Sequence, residues 1–200
     1  MHYRELLRGV NAYASKNQNQ PNAFPIELYP EETFYLNALE NNQPITIRAV
    51  NFLRRWNRRV RINNKQLQIA YQDIPEDILD WTLQDLHLWE NRIQITNIFT
   101  NSIATVRYTG ASKALHILNP KSFMMWDDRI RRGYGCCENG EGYFNFLLRS
   151  QKEIREIIRT YTNDYPGNRR ISQRIYAGGV KTIVKLLDEY NYVKHTKEWI

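Results

Sequence analysis

Cysteine is nearly absent from this chain of 200 residues, which contains only the adjacent pair Cys136 and Cys137. Two cysteines cannot form a disulfide framework, and they cannot supply the thiolates of a four-cysteine zinc or iron–sulfur site. A free pair of this kind is typical of a reducing compartment. The histidines His87, His116 and His195 have no spacing that indicates a metal site. We therefore expect neither a metal nor another cofactor.

Long apolar runs are also missing. No segment approaches the roughly 20 apolar residues that a membrane span requires. The first residues include Arg4, Glu5 and Arg8, whereas a signal peptide would need an apolar segment there. These absences predict a soluble, cytoplasmic protein with no membrane partner.

Strand-like alternation is rare, since only Ile45–Ile47 and Val60–Ile62 show it, and both segments also fit helix ends. Hydrophobic residues make up 42% of the chain, which is enough to form a core, and they recur mostly at helical spacing. No stretch resembles a linker, so residues 1–200 are predicted to form a single all-α domain. The predicted helices are Tyr3–Ser15, segments beginning at Pro30, Thr46 and Ile74, Leu88–Val106, a short helix from Ser112, Tyr143–Tyr161 and Ile171–Tyr192, with a frayed tail beyond Lys194.

Acidic residues are too few to balance the basic ones, and the net charge is +7. A charge of this sign favours a polyanionic partner but does not identify one. The predicted helix from Thr46 contains a group of arginines with no acid among them: Arg54, Arg55, Arg58, Arg59 and Arg61. Like charges one turn apart destabilise a helix. Either a phosphate-bearing partner contacts this face, through Arg54 and Arg58, or nearby acids such as Asp77 and Asp80 neutralise it.

The stretch Arg107–Gly135 combines features that could bind phosphate. Thr109-Gly110-Ala111 is predicted to be a tight turn, because glycine readily adopts a positive φ. Ser112 is placed as the N-cap or as a first-turn residue of the following helix, and Lys113 lies at the same edge of the turn. The free backbone N–H groups of such a turn can bind phosphate. An ordinary corner between two helices would show the same pattern.

A Trp-Asp-Asp sequence follows in the same stretch. Asp127 and Asp128 precede a predicted helix that contains Ile130, Arg131 and Arg132. One of two adjacent acids can cap that helix while the other faces a cleft. The neighbouring Trp126 either lines an aromatic pocket or belongs to the core.

Together these residues resemble the helix-hairpin-helix DNA glycosylase superfamily of base-excision repair. Thr109–Ala114 is similar to the hairpin and the start of its second helix, and Met125–Arg132 is similar to the segment that contains the catalytic aspartate in a D-x-x-[VI]-x-R setting. The resemblance covers about residues 95–135. The hairpin keeps one of the usual two glycines, and the cysteines of the iron–sulfur members are missing, so the resemblance indicates a diverged member without a cluster.

The resemblance implies an all-α fold with two helical lobes around a cleft, and a monomer that binds double-stranded DNA with a flipped modified base. It also implies a DNA N-glycosylase that leaves an abasic site. Asp127 would be the catalytic carboxylate, and Lys113 would either form a Schiff base, adding lyase activity, or contact phosphate. Trp126 would line the base pocket. The other expected DNA contacts are Gly110, Ala111, Ser112, Arg131, Arg132, Arg54 and Arg58.

The sequence leaves the substrate and the activity itself open. The excised base could be an oxidised purine, which indicates repair, or a bulky modified base of phage DNA such as glucosylated hydroxymethylcytosine, which indicates antiviral defence. The alternative is a non-catalytic helix-hairpin-helix module that only binds DNA. A third possibility is an enzyme that cleaves free nucleosides.

Overall fold

The computed structural model describes residues 1–17, 53, 62–71, 74, 76–167 and 181–200. All regular structure in these ranges is helical, which confirms the all-α prediction. None of the helices found there combines the length and the apolarity needed to cross a membrane. Numbered along the described part, the helices are α1 (Tyr3–Asn17), α2 (Asn64–Ala70), α3 (Arg92–Leu118), α4 (Asp128–Gly133), α5 (Gly140–Asp164) and α6 (Ile183–Asn191).

Helices α1 and α5 confirm the predictions made for Tyr3–Ser15 and Tyr143–Tyr161. Helix α5 begins early because the side chain of Asn139 accepts a hydrogen bond from the Gly142 N–H, at 2.8 Å. Its buried face packs against α3, where the rings of Phe99 and Tyr143 stack with centroids 4.0 Å apart. Helices α3 and α5 therefore form the centre of the core.

The helix predicted from Ile74 through Leu86 is wrong. Only Glu76–Leu79 forms a turn of 3₁₀ helix, and turns follow it. Two buried amides take the place of helical hydrogen bonds. Asn119 Nδ2 donates to the carbonyls of Ile78 and Trp81, at 2.7 and 2.9 Å, and Gln151 Nε2 donates to those of Leu83 and Leu86, at 2.7 and 2.8 Å. The spacing of apolar residues predicted a helix here, because a local pattern contains no information about hydrogen bonds to residues as distant in the sequence as Asn119 and Gln151.

Replacing Asn119 tests how this irregular segment is held. We expect Asn119→Ala to lower the free energy of unfolding by about 3 kcal/mol, because buried carbonyls lose their donor. Asn145 is exposed on α5, so Asn145→Ala is the matched control and should change the free energy by less than about 0.5 kcal/mol. Urea unfolding of both variants gives the values. Equal midpoints would show that the Asn119 bonds do not hold the segment.

The C-terminal tail is ordered, so the prediction that it frays beyond Lys194 is wrong. A π-helical turn at Tyr192–Thr196 continues α6. Val193 is buried, and its carbonyl accepts a hydrogen bond from the Trp199 N–H, at 3.0 Å. Arg129 Nη1 of α4 donates to the carbonyl of Thr196, at 2.9 Å. The tail is thereby fixed against α4.

Several predictions fall outside the described residues. They are the helices beginning at Pro30 and Thr46, the arginines Arg54 and Arg58, and residues 171–180 of the predicted last helix. The remainder of that last helix is α6, which begins after Thr182. Thr182 is the N-cap of α6, because its side-chain hydroxyl accepts a hydrogen bond from the Lys185 N–H, at 3.1 Å.

Candidate functional site

The corner in α3 lies at Arg107 and not at Gly110. Arg107 has φ 59° and ψ 168°, and the chain is helical on both sides of it. Gly110 is helical, which corrects the predicted Thr109-Gly110-Ala111 turn. A Cβ at Gly110 would lie 2.9 Å from Cβ of Val106, so the glycine permits the close approach of the two helical segments. The second segment therefore starts before Ser112.

The backbone of Arg107 lies in a region that is almost exclusive to glycine and costs other residues about 1–3 kcal/mol. We expect Arg107→Gly to raise the free energy of unfolding by about 1 kcal/mol, after the greater chain entropy of glycine is subtracted. Lys152→Gly, at an exposed position inside α5, should instead lower it by about 1 kcal/mol. Thermal and urea unfolding of the two variants provide the measurement. A destabilised Arg107→Gly variant would show that no strain is present.

Ser112 is buried and lies beyond the first turn after the Arg107 corner, so it is neither the N-cap nor the first-turn residue that the sequence predicted. Its hydroxyl donates within the helix to the Thr109 carbonyl, at 3.0 Å, and accepts from the Trp126 N–H, at 3.1 Å. Ala111 beside it is fully buried as well. Because both residues, backbone included, are fully buried, neither presents a surface to DNA, and we correct their assignment as DNA contacts. The Ser112 hydroxyl instead joins α3 to the segment before α4.

Trp126 lies in the core, with 1% of its surface exposed. Its ring makes edge contacts with Phe99 and Tyr143, with centroids 5.6 and 5.2 Å away. This packing corrects the prediction that Trp126 lines a base pocket. The buried indole fixes the position of the chain immediately before Asp127.

Asp127 is the N-cap of α4, so of the two adjacent acids it is Asp127 that caps the helix. Its Oδ1 accepts a hydrogen bond from the Ile130 N–H, at 2.8 Å, and its Oδ2 accepts one from the Thr196 hydroxyl, at 2.6 Å. The side chain is half-buried. A carboxylate has about four acceptor positions, so the two bonds hold Asp127 in place and leave it able to accept more.

The two predicted arginine contacts differ in what they can reach. Arg131 is mostly buried and binds Asp128, at 2.7 Å, and the carbonyl of Cys136, at 2.9 Å. Its guanidinium also lies over the Tyr108 ring. Arg132 pairs with Asp128 too, yet 67% of its side chain is exposed. We therefore assign Arg131 to holding α4 against the corner, while Arg132 remains available to a partner.

Lys113 lies close enough to Asp127 for their charges to interact, although the two residues come from different elements. Burial is the main cause that lowers the pKa of Lys113 to about 8; Asp127 opposes this change, and the Lys185 ammonium contributes a smaller decrease. At pH 7 such an amine is unprotonated in about a tenth of molecules, against about one in three thousand for an ordinary lysine. Lys113 is therefore suited to act as a nucleophile.

Three residues of this site were not predicted from the sequence as members. Thr196 binds Asp127, Lys185 acts on Lys113, and the pKa of His195 is lowered by burial and Lys194 but raised by Asp127. All three come from α6 and the tail. The nearest signal in the sequence is the helical pattern of Ile171–Tyr192, which predicted a helix but not the surface that it packs against.

The site combines an amine whose pKa is lowered by burial with a carboxylate held by two hydrogen bonds, and the charges of the two groups interact. In the described ranges no group of three His, Cys, Asp or Glu side chains is placed to hold a metal ion. Such an amine and carboxylate can act on an electrophilic carbon without further groups, the amine by attack and the carboxylate by stabilising positive charge.

No protein-family model, no curated protein and no solved structure matches the chain.

Proposed function

We propose that the protein is a DNA glycosylase of the helix-hairpin-helix type, which flips a modified base out of the duplex and hydrolyses its N-glycosidic bond. The observation that supports this most directly is the electrostatic interaction between the Lys113 amine, whose pKa burial lowers, and the Asp127 carboxylate. Both residues belong to the part of the chain that resembles the superfamily, at about residues 95–135. The proposal includes two helical lobes around a cleft, with double-stranded DNA as the partner of a monomer.

The carboxylate of Asp127 has a defined part in this reaction. When the base leaves, positive charge develops on the sugar, and a fixed carboxylate nearby lowers the energy of that transition state. The same group can orient or deprotonate the water that attacks C1′. Bonds from Ile130 and Thr196 fix Asp127 before the substrate arrives, so little reorganisation is needed.

Lys113 extends the chemistry to strand cleavage. Its unprotonated amine can attack C1′ while the base departs, and opening of the sugar ring then gives an iminium ion. On an abasic site the amine condenses with the aldehyde and releases water. Loss of a proton from C2′ then expels the 3′ phosphate, which cuts the strand. The low pKa of Lys113 supports this role over a simple phosphate contact, which needs the charged form.

DNA must be anchored because unstacking a base costs a few kcal/mol. The exposed Arg132 and the backbone around the Arg107 corner are the candidates among the described residues, and Arg54 and Arg58 remain predictions. Phosphate contacts release counterions, so binding should weaken steeply as salt rises. The net charge of +7 agrees with such a partner.

The test is to identify the bases that the protein releases. Duplexes containing oxidised purines, and phage DNA containing glucosylated hydroxymethylcytosine, are incubated with the protein, and the released bases are identified by mass spectrometry. Release from the first substrate indicates repair, and release from the second indicates antiviral defence. No release from a broad panel, with salt-dependent binding retained, would leave a non-catalytic DNA-binding module. Salt-insensitive cleavage of free nucleosides would contradict both.

A further inference from the structure

We infer that a lysine–tryptophan patch beside the candidate site binds the phosphate backbone of DNA next to the flipped nucleotide. The patch consists of Lys16, in the last turn of α1, and of Tyr192, Lys197 and Trp199 in the C-terminal tail. This inference rests on the proposed function for the identity of the partner. It adds a second surface to the DNA anchors named above.

The tail leads directly from Asp127 to this patch. Thr196 donates a hydrogen bond to Asp127 Oδ2, at 2.6 Å, and Lys197 is the next residue. Glu198 has a φ of 55°, a left-handed conformation that is unfavourable for a residue other than glycine. After this turn the Trp199 N–H bonds back to a carbonyl of the preceding turn, at 3.0 Å. A DNA strand whose nucleotide reaches Asp127 therefore passes close to the patch.

Two ammonium groups are held around one indole ring. Lys16 Nζ lies 5.3 Å and Lys197 Nζ lies 5.8 Å from the centroid of the Trp199 ring. Lys197 Nζ also lies 5.5 Å from the centroid of the Tyr192 ring. Cation–π attraction restricts these flexible side chains before a partner arrives, so they lose less rotamer entropy on binding. The two like charges repel each other, and a bound anion would relieve that repulsion.

The charge of the patch is not balanced by the nearest acid. Glu198 lies between the two tail residues of the patch in the sequence, but its carboxylate is 3.5 Å from Arg129 Nη1. Within the described ranges neither Lys16 nor Lys197 forms an ion pair with a carboxylate. Lys16 is exposed and Lys197 is half-buried, so a partner can contact both. The patch is thus a preorganised site for negative charge.

The surroundings favour a DNA strand over an acidic protein as the occupant. Arg129 and Arg132 of α4 have 58% and 67% of their side chains exposed. The tail that contains the patch contacts α4, where Arg129 Nη1 donates to the carbonyl of Thr196, at 2.9 Å. Cations therefore lie along both elements that meet at Asp127. An evenly charged strand can contact several of them at once, and phosphate contacts of this kind position DNA without reading its sequence.

The experiment compares two double variants that remove the same charge. Lys16→Gln/Lys197→Gln changes the patch, and Lys121→Gln/Lys152→Gln changes two exposed positions outside it. Fluorescence anisotropy with an undamaged duplex gives the affinity of each full-length protein from about 50 to about 200 mM salt. Each phosphate contact contributes about 0.9 to the slope of log affinity against log salt, so the patch variant should lose about 1.8 of that slope. The control variant and Lys16→Arg/Lys197→Arg should keep the wild-type slope.

The outcomes separate this surface from the proposed function. Equal slopes for the two glutamine double variants would overturn the patch as a DNA contact. So would a patch variant that loses binding to poly-glutamate while binding DNA normally, because an acidic protein is then the partner. If the double variant does not fold, Lys16→Gln and Lys197→Gln are measured singly, and each should lose about 0.9 of the slope. A wild-type protein that shows the expected slopes but releases no base would overturn the glycosylase proposal and leave the patch.

Discussion

Asp127→Asn should reduce base release at least about a hundredfold while leaving DNA binding intact. The amide retains the shape of the carboxylate but not its negative charge. It can neither stabilise positive charge on the sugar nor accept a proton from water. Single-turnover release of the base identified for the wild-type protein gives the rate, and fluorescence anisotropy with the same duplex gives the affinity.

The substitution is specific because the fold tolerates it. Asparagine caps helices about as well as aspartate, so the Ile130 N–H keeps its partner. The Thr196 hydroxyl now donates to Oδ2, at 2.6 Å, and can rotate to accept from the new amide nitrogen. Melting temperatures of the wild-type and variant proteins should therefore agree. Any loss of release is then a loss of chemistry.

Asp128→Asn is the matched control. Asp128 is the neighbouring acid, and its carboxylate is occupied by Arg131 and Arg132. Its replacement should weaken the attachment of α4 and lower stability slightly, yet leave most base release. If Asp127→Asn still releases the base at the wild-type rate, or if Asp128→Asn is the inactive variant, the assignment of the carboxylate is wrong.

The position of Asp127 was predictable because the signals for it are local. An acid before Ile130 at the right spacing predicts a helix start, and α4 begins at Asp128. The pairing with Thr196 was not predictable, since it joins residues at opposite ends of the C-terminal half through tertiary packing. Lys185 is a similar case: in the sequence it is one lysine in an amphipathic helix. Only the packing of α6 lets its charge contribute to the pKa of Lys113.

The position of the corner in α3 could not be predicted from local residue preferences. A positive φ predicts glycine, and Gly110 was the nearest one, yet Arg107 has that conformation. The helices on both sides are fixed by burial, Val106 on one side and Ala111 with Ser112 on the other. Their packing determines where the chain must turn, and it overrides the local preference of the residue at the corner. Departures of this kind occur often at functional sites.

Lys113→Gln should abolish the borohydride-trapped complex with an abasic-site duplex. Only an amine can form the iminium ion, and the Lys113 amine is the one whose charge interacts with Asp127 and whose pKa burial lowers. Lys121→Gln is the matched control, because Lys121 is exposed in the turn that follows α3. It should form the complex at the wild-type yield. Denaturing gels of the trapped complexes, with the modified peptide mapped by mass spectrometry, provide the measurement.

The rate of borohydride trapping should depend on pH, because only the unprotonated Lys113 amine forms the iminium ion. With a pKa of about 8, Lys113 is mostly protonated below pH 8, so the rate should fall by about a factor of ten for each further pH unit and level off above pH 8. The same shift means that burial opposes the charged amine in the folded state, so the neutral Lys113→Gln variant should be more stable than the wild-type protein at neutral pH. A variant that is more stable yet forms no covalent complex would show that the buried lysine is kept for chemistry at the expense of stability. Persistence of the complex in Lys113→Gln would instead move the nucleophile to another amine of the chain.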